Sequence, residues 1–432
     1  MKISLYTLLT FSSLLQNGIG FLQGNLISSS LLKKSKNIND NKMHRYKRDQ
    51  IVSWSSVRNQ TEPFSSSPEE QDEEYPPPLA SFSSPLLVQT PFLNYAQDIQ
   101  TKIDVSRPYY ALRNERVLWN KNSKSVQGIA CNVLAEMPHG SEGGTFTAAE
   151  AGRHMAIAGS IASAMVQPKD GKFYYLALDA KISRKPFTGF ASAAVQSVDG
   201  YASILATCTD MGGSKPRSCS SEILLETSPN EDAWYLQVSY VMVPQKLFRK
   251  LYGEVDVDTI LRMQEADESP YINFSGLPNV VRLKTGTRTD SSITCYTSFP
   301  PPRPEDCLGH FETNPALPIA FTCSLFSDLV AQTISELCGV PTVFRARGKN
   351  VSTNAATLIC QEWSIKAEEL VFANTFGQHA ECDVELLSGD DVPAGGTAGK
   401  FFRAIVRASK DDEYGKVIFR GESVWKLVSA SN

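Results

Sequence analysis

The chain has 432 residues, 42% hydrophobic and 20% charged, enough apolar material for two or three ordinary domains with real cores. A net charge of −4 spread over that length gives no footprint for a nucleic-acid or membrane-surface partner. Nine cysteines form an odd, scattered set without a C-x-x-C pair, which argues against both a disulfide framework and a zinc site; they read as reduced, mostly buried, small residues.

Residues 1–20 have the layout of a secretory signal peptide. Lys2 supplies the positive end, and Ile3 to Leu15 is an apolar run too short to span a bilayer, so no stable membrane insertion is expected. Gly18 and Gly20 are small residues before a cleavage point that leaves Phe21 first. From Phe21 to Gln60 the chain is rich in Ser, Asn, Lys and Arg, with only Asp40 and Asp49 opposing the basic residues, which is transit-peptide composition. A signal peptide followed by a transit peptide that opens on Phe resembles the bipartite plastid presequence of algae with secondary plastids. That resemblance implies a plastid protein imported through the secretory route. Plain secretion with a basic pro-region is the alternative, and it would oxidise thiols that carry no pairing pattern. Glu62 to Pro85 is acidic, then Pro- and Ser-rich, and cannot bury enough apolar surface to order itself. Transit peptide and linker together are assigned to 21–95, and the folded part to two units, 96–280 and 281–432.

The first unit opens with an apolar run from Val126 to Leu134. Gly143 and Gly144 then precede a small-residue helix from Thr147 to Met165, with Thr147 as N-cap, Glu150 completing a capping box and Pro168 after the end. Strand-like runs follow at Phe173 to Ile182, Ala191 to Val198, Ala202 to Cys208, Ser218 to Leu225 and Trp234 to Val243. The second unit repeats the order. A strand from Ser291 to Phe299 leads through Gly309-His310-Phe311 to a helix from about Leu317 to Leu337, closed by Gly339 and Pro341. Strands are then expected at Thr342 to Arg347, Ala355 to Trp363, His379 to Leu387, Phe401 to Ala408 and Lys416 to Val428. One long helix followed by antiparallel strands, twice, is an α+β pattern of units of ~150 residues.

A long small-residue helix wrapped by a curved antiparallel sheet is similar to the hotdog fold, and two in tandem would make a double hotdog. Residues 309–318 read Gly-His-Phe-Glu-Thr-Asn-Pro-Ala-Leu-Pro and resemble the G-H-F-x-x-x-P-x-x-P signature of β-hydroxyacyl-acyl-carrier-protein dehydratases. In the first unit, residues 144–150 read Gly-Thr-Phe-Thr-Ala-Ala-Glu and are more similar to the G-x-F-x-A-x-E helix start of acyl thioesterases. The resemblance implies His310 as base and the backbone N–H groups after Pro318, aided by the helix dipole, as donors to the thioester oxygen. Gly309, Phe311, Pro318, Ile319 and Gly144 would border the bound thioester. The position of the dehydratase acid holds Ser324, the glycine after the second proline is replaced by Ile319, and Asp328 lies one turn further on.

A composite site is therefore expected, with His310 facing Glu150, or else His154, from the other unit. Plainer readings stand beside it. His310 could cap its helix or bond a carbonyl, and Glu150 could serve only its capping box. Arg184 and Lys185, and the cluster Arg345, Arg347 and Lys349, could dock a phosphopantetheine or CoA phosphate or lie solvated. The leading activity is dehydration of 3-hydroxyacyl thioesters. The second is thioester hydrolysis with Glu150 or Asp328 activating water, and the third is non-catalytic binding of an acyl chain or pigment. The implied partner is acyl carrier protein or a CoA thioester, with a dimer of double hotdogs left open. No P-loop, dinucleotide fingerprint, nucleophile elbow or metal-ligand cluster is present in the sequence, and no cofactor or metal is expected.

Overall fold

The computed structural model describes residues 86–91, 102–107, 109–120, 125–137, 142–167, 171–195, 198–211, 217–253, 283–311, 314–339, 357–373, 375, 377–388, 399–410 and 416–428. The signal segment 1–20, most of 21–95, the unit boundary at 280, the run Thr342 to Arg347 and the basic cluster around it lie outside the described residues.

The first half contributes strands β1 (Leu86–Pro91), β2 (Arg113–Asn120) and β3 (Ser125–Val133), then helix α1 (Ala148–Val166). It continues with β4 (Phe173–Lys185), a short helix α2 (Phe190–Ala194), β5 (Ala202–Met211), β6 (Ser218–Glu226), β7 (Ala233–Pro244) and helix α3 (Gln245–Tyr252). The second half runs β8 (Lys284–Arg288), β9 (Ser292–Phe299), helix α4 (Ile319–Cys338), β10 (Thr357–Ala367), β11 (Gln378–Leu386), β12 (Lys400–Lys410) and β13 (Val417–Val428). All these strands join one 13-stranded sheet in the order β1-β2-β3-β5-β6-β7-β4-β10-β13-β12-β11-β9-β8. Each half repeats one rule. The strand before the long helix, then the third, fourth, fifth and second strands, lie side by side, and the second strands of the two halves (β4 and β10) pair antiparallel from Asp179↔Lys366 to Ser183↔Glu362. The expected α+β class stands.

The long helices are mostly buried, α1 through its many small residues and α4 through larger apolar ones such as Phe321, Phe326 and Leu329. α1 packs on β3, β5, β6 and β7, and α4 on β9, β11 and β12, while α1 and α4 also touch each other. At Gly159 a Cβ would lie 2.7 Å from the Tyr240 hydroxyl and 3.2 Å from Ser221 Cβ, so only glycine lets the sheet close here. Strand burial alternates on the facing side, as in β12, where Phe402, Ala404, Val406 and Ala408 point inward. All nine cysteines are free thiols, most of them buried in these layers. Among the described residues no helix is long and apolar enough to cross a membrane.

Several elements differ from expectation. Ala191 to Val198 was expected as a strand, but residues 190–194 form α2. The buried carboxylate of Glu226 accepts hydrogen bonds from the N–H groups of Thr188, Gly189, Ala191 and Ser192, and so gathers this segment into a turn. β1 lies inside the segment expected as linker, and β2, β8 and α3 carry no sequence expectation. The Glu150 half of the capping box does not form. Thr147 Oγ1 accepts from Glu150 N–H (3.2 Å), but Glu150 reaches elsewhere, and Glu142 Oε1 accepts from Ala148 N–H (2.8 Å). Residues 102–110, expected to open the first unit, cross to the second. Ser106 N–H donates to Gly309 O (2.8 Å), and Phe311 N–H to Asp104 O (2.9 Å).

Candidate functional site

The Gly309-His310-Phe311 turn is built by that crossing segment. Gly309 has φ +73°, and a Cβ there would sit 2.9 Å from Tyr109 N and 3.0 Å from Arg107 C, so the tight approach requires glycine. Phe311 is also left-handed, at φ +59°, and is anchored edge-on against Tyr174 (5.1 Å) and Phe248 (5.6 Å). His310 lies between them, stacked on Phe311 (4.1 Å) and edge-on to Tyr109 (5.0 Å). Its Nδ1 stands 2.8 Å from Ala316 O. A carbonyl oxygen only accepts, so Nδ1 carries the proton and Nε2 keeps a lone pair. Burial pushes the ring pKa down to about 4, against the hydrogen bond to Ala316 and the charge of Asp104, so the imidazole is neutral at physiological pH. Asp104 is itself buried and ion-paired with Lys172.

His310 opens onto a cavity of ≈ 90 Å³ at the junction of the two long helices. α1 supplies Ala156, Ile157 and Ser160 to its wall, and α4 supplies Ile319 and Thr322 from its first turn. Tyr109, Tyr175 and Tyr240 form the aromatic side, and Glu369 and Gln378 the polar one. α4 starts at Pro318 with no side-chain cap; the Phe321 and Thr322 N–H groups turn back to Pro318 O, which leaves Ile319 and Ala320 as the first-turn donors beside this wall, with the positive end of the dipole. The Glu369 carboxylate is held by Lys410 (2.6 Å) and Lys416 (3.3 Å).

Of the expected residues, this cavity gathers His310, Phe311 and Ile319, while Gly309 and Pro318 adjoin them in the chain and are not among its walls. Glu150, His154, Asp328 and Gly144 are not among its walls. Glu150 is fully buried and accepts from the N–H groups of Glu136 and Met137, which a desolvated carboxylate needs, and its Oε1 lies 3.6 Å from His154 Nε2. Glu150 is thus engaged away from His310, on which the charge of Asp104 acts only through space. Burial also lowers the His154 pKa. Asp328 is half-buried on α4, where its charge helps to raise the Glu142 pKa, after the larger effect of burial. Gly144, at φ +104°, leaves room for Arg184. That arginine donates to Cys360 O (2.8 Å) and lies 4.2 Å over the Trp234 ring, so it clasps β4 to β10 instead of presenting itself to a phosphate. Lys185 is half-buried at the end of β4.

Asp104, Tyr109, Glu369 and Gln378 had no sequence signal of their own beyond acidic or polar residues set among apolar neighbours. Among the described residues no cluster of three or more His, Cys, Asp or Glu could hold a metal ion.

No family model and no curated protein matches this chain. Among solved structures it is similar to the 12:0-ACP thioesterase of Umbellularia californica, at 9% identity over 69% of this chain and 94% of that one, TM-score 0.36. An acyl-ACP thioesterase of Bacteroides thetaiotaomicron gives 11% identity over 69% and 97%, TM-score 0.36. A hot dog fold protein of Alicyclobacillus acidocaldarius gives 10% identity over 70% and 94%, TM-score 0.33. Likenesses this distant carry no argument, and the α+β reading stands on strand order and helix packing.

Proposed function

We propose that the chain is a tandem hotdog that hydrolyses acyl thioesters of CoA or an acyl carrier protein. The observation that carries this reading is the junction cavity, where a neutral His310 and the uncapped start of α4 share one largely apolar chamber. Water attacks the thioester carbon and gives its proton to His310 Nε2. The oxyanion is met by the first-turn N–H groups of α4 and the helix dipole. Asp104 favours the imidazolium, which returns the proton to the sulfur as the C–S bond breaks. The products are a carboxylic acid and a free thiol.

Dehydration would need a protonated acid beside the departing hydroxyl. The carboxylate in the cavity wall, Glu369, is instead held by two ammonium groups, and the dehydratase acid position is Ser324.

Thiol release from a chain-length series of acyl-CoA substrates tests the reading. Activity is expected in the wild type and a loss of about 100-fold or more in kcat/KM for His310→Gln. Interconversion of 3-hydroxyacyl and enoyl thioesters without thiol release would return the dehydratase reading. Binding without any turnover would leave a non-catalytic acyl binder.

A further inference from the structure

We propose that Gln378 determines specificity in the cavity, its side-chain carbonyl taking a hydrogen bond from a donor on the substrate close to the thioester. This rests on the hydrolysis reading for the identity of the ligand. Gln378 opens β11, whose alternating burial turns Gln378, Ala380 and Cys382 inward. It is 2% exposed, it lines the cavity, and its Oε1 meets no donor among the described residues. A buried carbonyl left without a donor is costly and uncommon, and here it belongs to a residue of the cavity wall.

Donors do stand on the wall, the Tyr109 and Thr322 hydroxyls and the start of α4, but Gln378 Oε1 has no partner among the described residues. Ser160, Tyr175 and Tyr240 spend their hydroxyls on Ile157 O, Gln167 Oε1 and Ala156 O. His310 offers a bare Nε2, and Glu369 offers only acceptor oxygens. Two parts of an acyl thioester carry an O–H or N–H near the sulfur: a hydroxyl on the acyl chain, and the first amide of the pantetheine arm.

Four unreactive thioethers separate these sources in the full-length protein. They combine a hydroxylated or plain chain with N-acetylcysteamine, which keeps the amide, or with ethanethiol, which lacks it. Titration calorimetry is expected to give binding about tenfold tighter for the member of one pair that keeps the donor, the worth of one hydrogen bond. A ratio in the hydroxyl pair names the acyl chain, and a ratio in the amide pair names the arm. Gln378→Met keeps the shape, removes the acceptor and should abolish the ratio, while Gln378→Glu keeps the acceptor and should retain it. No ratio in either pair, a ratio that survives in the Met variant, or no binding at all overturns the assignment. Since unreactive ligands are used, a protein that binds with this preference yet releases no thiol would end the hydrolysis reading and leave Gln378 in place.

Discussion

His310 is held in one state by two independent features. Ala316 O fixes the proton on Nδ1, and burial brings the pKa to about 4. The acid limb of the kcat/KM profile should therefore fall near pH 4 and not in the ordinary histidine range. A limb between pH 6 and 7 would assign the base to another group. Gly309→Ala should destabilise the protein by about 2 kcal/mol or more, because it combines a left-handed backbone with a close approach to Tyr109 N. Urea unfolding measures that loss. His310 was legible in the sequence because motif and helix adjoin it. The nearby charge of Asp104 was not, since it arrives from far upstream by a backbone crossing that no local pattern announces. Glu150 looked chemical for the same local reason that it proved structural: an acid on an apolar helix must find donors, and it found the N–H groups of Glu136 and Met137.

The long helices were legible as elements, down to the Thr147 cap and the Gly339 stop, because caps and periodicity are local. Most strands were too, within a few residues. α2 was not, because its cause is a distant carboxylate, Glu226, and not its own apolar run. The small residues of α1 have a measurable role. Gly159→Ala would drive a methyl to within 2.7 Å of the Tyr240 hydroxyl, which donates to Ala156 O at 2.7 Å. The expected loss is about 1–3 kcal/mol by overpacking, despite the better helix propensity of alanine. Thermal unfolding of this variant checks whether tertiary packing overrides propensity here.

The two halves meet along a seam that carries a buried acid. Glu142 bridges to Leu358 of β10 and caps α1, and burial raises its pKa from 4.5 to about 8 despite Arg184 and the Ala148 N–H. The native state thus keeps a proton that the unfolded chain releases above its own pKa. Native stability conferred by this group is undiminished below pH 4.5 and falls as pH rises toward 8. Glu142→Gln keeps the amide-accepting oxygen and removes that penalty. Its stability advantage over the wild type should grow between pH 5 and pH 8 in matched urea titrations, and an advantage independent of pH would place the proton elsewhere.

The segment that carries Ile103, Val105 and Tyr109 onto the second half sets a limit on how far the chain can be shortened. One face of the chamber comes from these residues, so a truncation that removes them removes part of its wall. A chain shortened to begin before Leu86 should keep full turnover, and one begun at Leu112 should fold with its chamber open to water and lose it. Residues far upstream of both long helices thus decide whether the chamber between them is closed.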